Sequence, residues 1–347
     1  MRVTTFISAL AMIVVCSAVY AAQSSTANES TLAHVRAAGV LRCGIDQEEA
    51  EYTTSDDHGN REAFDADLCR AVAVAVLGKD ALVRVTHYPD DRAAMHGLNA
   101  GEVEMVASLS DDFTHTVWTH LRFTQPVLWD GVGFLVPGRS PVERARQLSG
   151  TKICFLAETT VEESVRAWFA REHLEFVPFP FQEEGEMQAA FATGNCGALA
   201  GDRTRLAETR AELTRRGKQT RLLPECISKD PLAAAVRDDD PQWAALVNWV
   251  LETLIQAEES GVTRANVKAM RARANSDPVL RFLLGGSREI GPALELDNEW
   301  AARVIAATGN YGEIFERDLG SASAMKLPRG ENNLRAHGGA ITALPFQ

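Results

Sequence analysis

Met105–Val136 reads MVASLSDDFTHTVWTHLRFTQPVLWDGVGFLV, and the fold turns on it. Met105–Ser110 is a short buried strand by pattern, ending in hydroxyls. Ser108 and Ser110 lie two apart, which predicts that they point to one side. The polar run Asp111–His120 is read as an irregular loop, and Asp130–Val136 as a second apolar strand bounded by glycines and by Pro137. A strand that ends in aligned hydroxyls and backbone N–H groups suits a small polar ligand. A second strand leaving that place can carry the chain into another lobe.

The segments before this stretch alternate strand and helix. Gly39–Ile45 is a strand. Phe64–Leu77 has apolar residues at helical spacing and Gly78 at its end, Leu82–Tyr88 is a strand, and Asp91–Ala100 is a helix ending at Gly101. That order predicts a parallel sheet flanked by helices, with ligands at the carboxyl ends of its strands. Those ends are the Asp46–Tyr52 and Ser108–His115 loops. After Pro137 a second such unit follows, with helices predicted over Pro141–Leu148, Thr160–Glu172, Glu184–Thr193 and Arg203–Arg215. Its predicted strands are Lys152–Leu156, Glu175–Phe181 and Cys196–Ala200, with further candidates at Leu222–Pro224 and Ala233–Arg237. Thr160-Val161-Glu162-Glu163 fits a capping box. The clearest helix starts at Asp240-Pro241 and stops at Gly261, and Thr263–Ala274, Pro278–Leu284 and Glu299–Gly309 are helical by pattern. Two α/β units joined by two crossings, with the late helices returning to the first, describe a two-lobed clamp that closes by hinge motion. Lobe 1 is assigned to 31–134 and 232–347, and lobe 2 to 137–229.

Met1–Ala21 carries Arg2, an apolar run from Phe6 to Val19 and small residues at its end, which reads as a cleaved secretory signal. The roughly 325 residues left exceed one ordinary core and fit two lobes. The formal net charge of -12 argues against nucleic acid or an anionic membrane as partner. Cysteines of an exported chain are expected to pair, and locality suggests Cys43 with Cys69 and Cys154 with Cys196, leaving Cys226 over. Sequence alone does not fix the pairing. No C-x-x-C pair and no histidine cluster points to a metal, and no nucleotide fingerprint or cofactor motif occurs.

Glu62–Ala73, reading EAFDADLCRAVA, is similar to the signature G-F-D-x-D-[LV]-x-x-A-[IV]-A of the periplasmic amino-acid-binding proteins of ABC importers (solute-binding protein family 3), with Ala63 in place of Gly. Gly101-Glu102-Val103-Glu104 resembles a second family turn. Leu223–Leu232 (LPECISKDPL), Gln256–Thr263 (QAEESGVT) and Gly309–Arg317 (GNYGEIFER) resemble the general L-amino-acid-binding subgroup. The resemblance runs from about residue 31 to about 340. It implies a type II periplasmic binding protein fold (a Venus flytrap), the same two disulfides, and delivery of a ligand to a permease in the inner membrane.

The resemblance also implies roles for single residues. Asp202 falls where the family binds the ligand ammonium, against the plain role of capping Arg203–Arg215. Ser108 and Ser110 match a hydroxyl-bearing loop, Thr160 a helix start facing the carboxylate, and Tyr52 an aromatic lid. His115 occupies the position of the carboxylate-binding Arg, reached by counting from Ser110 or back from Phe123. A neutral His donates one hydrogen bond where Arg donates two with a fixed charge. Asp111 and Asp112 lie beside it, and Glu158 stands where the subgroup has Gly. The expected anion half of the pocket therefore carries more acid than base. The expectation is then a cationic or carboxylate-modified ligand, such as an amide or diamine, or loss of ligand binding, in place of an ordinary α-amino acid, unless Arg122 or Arg203 swings in.

The function expected is a monomeric periplasmic binder serving an importer, and not an enzyme. A non-transporting sensor or scaffold is the alternative. An enzyme resembling cyclohexadienyl dehydratase would need a buried general acid, and Glu158 with His115 is the one candidate pair.

Overall fold

The structure, a computed structural model, describes residues 30–46, 61–274, 277–286 and 290–346. Met1–Ala21, expected to be a signal sequence, and Tyr52 lie outside the described residues. Among the described residues ten strands form two sheets: β1 (Val40–Asp46), β2 (Leu82–Tyr88), β3 (Met105–Ser110), β4 (Leu121–Asp130), β5 (Val132–Pro137), β6 (Lys152–Leu156), β7 (Val177–Phe181), β8 (Ala198–Asp202), β9 (Thr220–Leu222) and β10 (Asp230–Arg237). The helices are α1 (Thr31–Ala38), α2 (Arg61–Leu77), α3 (Asp91–Asn99), α4 (Phe113–Trp118), α5 (Thr160–Arg171), α6 (Glu184–Ala192), α7 (Arg203–Arg215) and α8 (Pro241–Glu259), then α9 (Val267–Arg273), α10 (Pro278–Leu283), α11 (Ile290–Ala293), α12 (Trp300–Thr308) and α13 (Tyr311–Asp318).

The first sheet has the order β2-β1-β3-β10-β4 and the second β7-β6-β8-β5-β9. In each, four strands run the same way and one runs against them: β10 pairs antiparallel with β3 and β4, and β5 with β8 and β9. This is the expected α/β architecture of two helix-flanked, mostly parallel sheets. The second sheet has its own aromatic core, in which Phe134 packs edge-on against Phe169 at 6.2 Å and Trp168 packs on Phe169 at 5.0 Å.

Three local expectations are corrected. Asp130–Val136 is not one strand: β4 ends at Asp130 in the first sheet and β5 begins at Val132 in the second. Gly131 makes the crossing at φ 144°, where a Cβ would sit 2.7 Å from the Ser228 carbonyl oxygen, so only glycine fits. The supposed loop contains α4. Pro141–Leu148 is irregular apart from one 3-10 turn at Ala145–Leu148. β4 escapes a sequence reading because Pro126 interrupts it, tolerated on an edge strand, and because register shifts against β10 blur its alternation.

The disulfides Cys43–Cys69 and Cys154–Cys196 are both formed, and Cys226 is free. The subgroup-like segments fasten the C-terminal part to the body. Phe64 meets Tyr311 edge-on at 6.2 Å, and Asp67 pairs with Arg317. Asn310 and Glu313 form a reciprocal capping box at the start of α13. Glu258 holds Arg329 through two hydrogen bonds of 2.7 and 3.1 Å, while the guanidinium lies over the Tyr311 and Phe315 rings. The Asn332 side chain exchanges hydrogen bonds with the backbone of Trp129 on β4, at 2.6 and 2.9 Å. On α7, beside the second sheet, Arg210 donates to the carbonyls of Met325 and Lys326. The residues after Gly320 thus reach both halves.

Candidate functional site

The strand order brings the carboxyl ends of both parallel sets to the crossing. Ser110, at the end of β3, pairs with Leu232 on β10, and the N–H of Asp111 donates to the Pro231 carbonyl at 2.8 Å. Asp202, at the end of β8, pairs with Val132 on β5. The two crossing segments join through Asp130 opposite Asp230, through the Ile227 N–H on the Val132 carbonyl and through the Val132 N–H on Ser228 Oγ. Ser110 and Asp111 therefore flank one side of the crossing and Asp202 the other. Glu158 and Thr160 follow β6, the parallel neighbour of β8.

His115 sits on α4, which opens with Asp112 as its cap: the Asp112 carboxylate accepts the His115 N–H at 2.8 Å. The imidazole folds back onto the strand end, its Nδ1 2.8 Å from the Ser110 carbonyl oxygen and 3.4 Å from the Asp112 carboxylate. A carbonyl only accepts, so Nδ1 carries the hydrogen and a neutral ring presents an acceptor lone pair at Nε2.

Ser108 lies elsewhere. It is fully buried, and its hydroxyl donates to Asp65 on α2 at 2.8 and 2.9 Å, within the first lobe. Ser110 is half-buried at the strand end.

On the second sheet, the expected capping box is displaced by one residue. Thr159 is the cap of α5, accepting the Glu162 N–H at 3.4 Å, and Glu162 reaches back to the Glu158 N–H at 2.9 Å. Thr160 is the exposed first residue of the helix. Glu158 is exposed and held at φ 60°, the left-handed region that favours glycine.

Asp202 occupies the cap position of α7, yet its side chain makes no capping hydrogen bond. Asp130, 3% exposed, takes that job: it accepts from the N–H groups of Arg203 at 3.0 Å and Thr204 at 3.3 Å, and from the Thr204 hydroxyl. No sequence pattern pointed to Asp130, because its partners lie more than seventy residues away.

Arg203 and Arg122 are the two arginines considered for carboxylate binding. The Arg203 guanidinium donates to the carbonyls of Leu223 at 2.8 Å and Glu225 at 3.2 Å. Arg122 lies at the far end of β4, roughly 27 Å along the strand from Asp130 at about 3.4 Å per residue. Cys226 is packed in the crossing with its sulfur 3.1 Å from the Ser228 carbonyl oxygen, and burial pushes its thiol up to about 11. Among the described residues no group of His, Cys, Asp and Glu could hold a metal ion, and no helix is long and apolar enough to cross a membrane.

The chain is 38% identical over 341 residues to the general L-amino acid-binding periplasmic protein AapJ of Rhizobium johnstonii, covering 95% of this chain and 97% of that one. The chain belongs to the amino-acid-binding periplasmic proteins of ABC transporters. Within this family it is also 34% identical to the glutamate/glutamine/aspartate/asparagine-binding protein BztA of Rhodobacter capsulatus, over 93% of this chain and 95% of that one. Among solved structures it resembles the periplasmic binding protein of Brucella ovis with glutathione bound, at 34% identity and a TM-score of 0.77, over 92% of this chain and 99% of that one. No family model matches.

Proposed function

We propose that the chain is the exported, monomeric substrate-binding component of an amino-acid-type ABC importer. It closes lobes 31–134 with 232–347 and 137–229 around a small amine and presents it to a permease in the inner membrane. Asp202 receives the ammonium. Ser110, Thr160 and Tyr52 contribute the remaining contacts of the cleft. The partner of His115 is a hydrogen-bond donor, such as an amide or a second amine, and not a free carboxylate.

The observation that carries this reading is the His115 Nδ1 contact with the Ser110 carbonyl at 2.8 Å. It commits the ring's N–H to the strand end, beside Asp111 and Asp112, where the family places a bidentate arginine. Two unit charges about 4 Å apart in a partly dry site interact by roughly 4 kcal/mol. That is half of a micromolar binding energy of about 8 kcal/mol, so the sign of the charge at this place selects the ligand. The engagement of Arg203 by backbone carbonyls argues against its restoring a carboxylate grip. The exposure of Glu158 argues against a buried general acid, and so against an enzyme.

Calorimetry with standard L-amino acids, their carboxamides, diamines and glutathione tests the proposal. Carboxamides or diamines are expected to bind at least tenfold tighter than the parent amino acids, and Asp202→Ala to abolish binding. Tight binding of many standard L-amino acids, unchanged by His115→Ala, would defeat it.

A further inference from the structure

Asp130 ends β4, at the point where the chain leaves the first sheet. Its carboxylate is 3% exposed and fully occupied, for one oxygen accepts the N–H groups of Gly131 at 2.8 Å and Arg203 at 3.0 Å, and the other accepts the Thr204 N–H at 3.3 Å and the Thr204 hydroxyl. This buried carboxylate, with its several donors, sits at the positive end of a thirteen-residue helix. An aspartate at a cap position ordinarily spends its own oxygen on the second or third N–H of the helix. At α7 that hydrogen bond is supplied from across the crossing, and Asp202 keeps extended backbone angles (φ -64°, ψ 143°) without one.

We propose that Asp130 is a positioning residue for ligand recognition: by capping α7 in place of Asp202, it keeps the Asp202 carboxylate out of the cap and turned to the ligand's ammonium. The proposal rests on the reading of Asp202 given above. One carboxylate cannot both satisfy the helix start and grip a cation with the same oxygens, and the two tasks are divided between two acids. Because Asp130 adjoins Gly131, the link also joins the pivot of the two lobes to the first turn of the helix that carries the site.

Replacing the oxygen that faces Thr204 with a donor leaves the Thr204 N–H of α7 without its acceptor, while the Arg203 N–H still reaches the Gly131 carbonyl at 3.0 Å, and Asp202 rotates into the cap. The expected signature is loss of amine recognition beyond any general loss of affinity. Calorimetry on the full chain with L-glutamine, L-glutaminamide and their Nα-acetyl derivatives reads it. The native chain is expected to prefer the free amine over its acetyl form by about 100-fold. Asp130→Asn is expected to cut that preference to under tenfold, whereas a purely structural role would weaken both forms equally. Thr204→Val, which removes one donor to Asp130 and preserves shape, is expected to give an intermediate preference, and it keeps the test open if Asp130→Asn does not fold. Full native preference in both variants overturns the positioning role while leaving Asp202 in place. A native chain without preference for the free amine overturns the reading beneath it.

Discussion

The Ser108 hydroxyl donates to both carboxylate oxygens of Asp65, and the two side chains are fully buried between β3 and α2. The pair joins a residue of the family-like signature to the strand that leads into the site. Ser108→Ala leaves a buried carboxylate short of a donor and is expected to destabilise the fold by about 1–3 kcal/mol with ligand affinity unchanged. Urea unfolding and calorimetry on the same variant separate the two effects. Weakened binding at constant stability would return Ser108 to the ligand set.

Thr159 and Thr160 divide in the same way. Thr159→Ala removes the cap of α5 and is expected to lower stability by about 1 kcal/mol. Thr160→Ala, at an exposed helix start, is expected to leave the melting temperature unchanged and to weaken ligand binding. Equal melting of both variants would show that the cap was misassigned.

Glu158 holds a backbone conformation that disfavours any side chain with a Cβ. Glu158→Gly relieves that strain and removes a negative charge at the carboxyl end of β6. We expect a gain of up to about 1 kcal/mol in stability, partly offset by the entropy glycine adds to the unfolded chain. We also expect stronger binding of carboxylate-bearing amino acids. A fall in melting temperature would contradict the strain argument.

Glu252 on α8 is 1% exposed and accepts the Leu344 N–H at 2.6 Å. Burial, with the charge of Glu259 adding to it, raises its carboxyl from 4.5 to about 7. The folded state therefore holds a proton that the unfolded state releases. This contribution to stability is complete below about pH 4.5 and is lost as pH rises through 7. Melting curves from pH 5 to 8 are expected to show a decline that Glu252→Gln flattens. An identical slope in the variant would assign the decline to other groups.

Regular periodicity made most of the framework legible. The apolar spacing of α2 and α8, the alternation of helices with strands, and cysteines close in sequence all depend on local pattern. What stayed hidden is non-local. β4 carries a proline and a shifted register, so its identity as a strand comes from β10 more than a hundred residues later. The Thr pair at 159 and 160 offers two equivalent caps by composition, and only the backbone turn at Glu158 selects the first. Asp202 was legible as a helix cap, yet the capping hydrogen bonds come from Asp130, a partner no local window contains. His115 was singled out by its count from Ser110, but its contact with the Ser110 carbonyl depends on how α4 folds back.

The segment beyond Gly320 is a third tie between the halves, fastened to α8 by Arg329 and to α7 by Arg210. A clamp braced behind its pivot swings through a narrower arc than one joined by two strands alone. Trimming the last residues by proteolysis, or burdening them with a bulky fusion, would therefore slacken the swing itself and change how much freedom the empty protein surrenders on capturing its cargo.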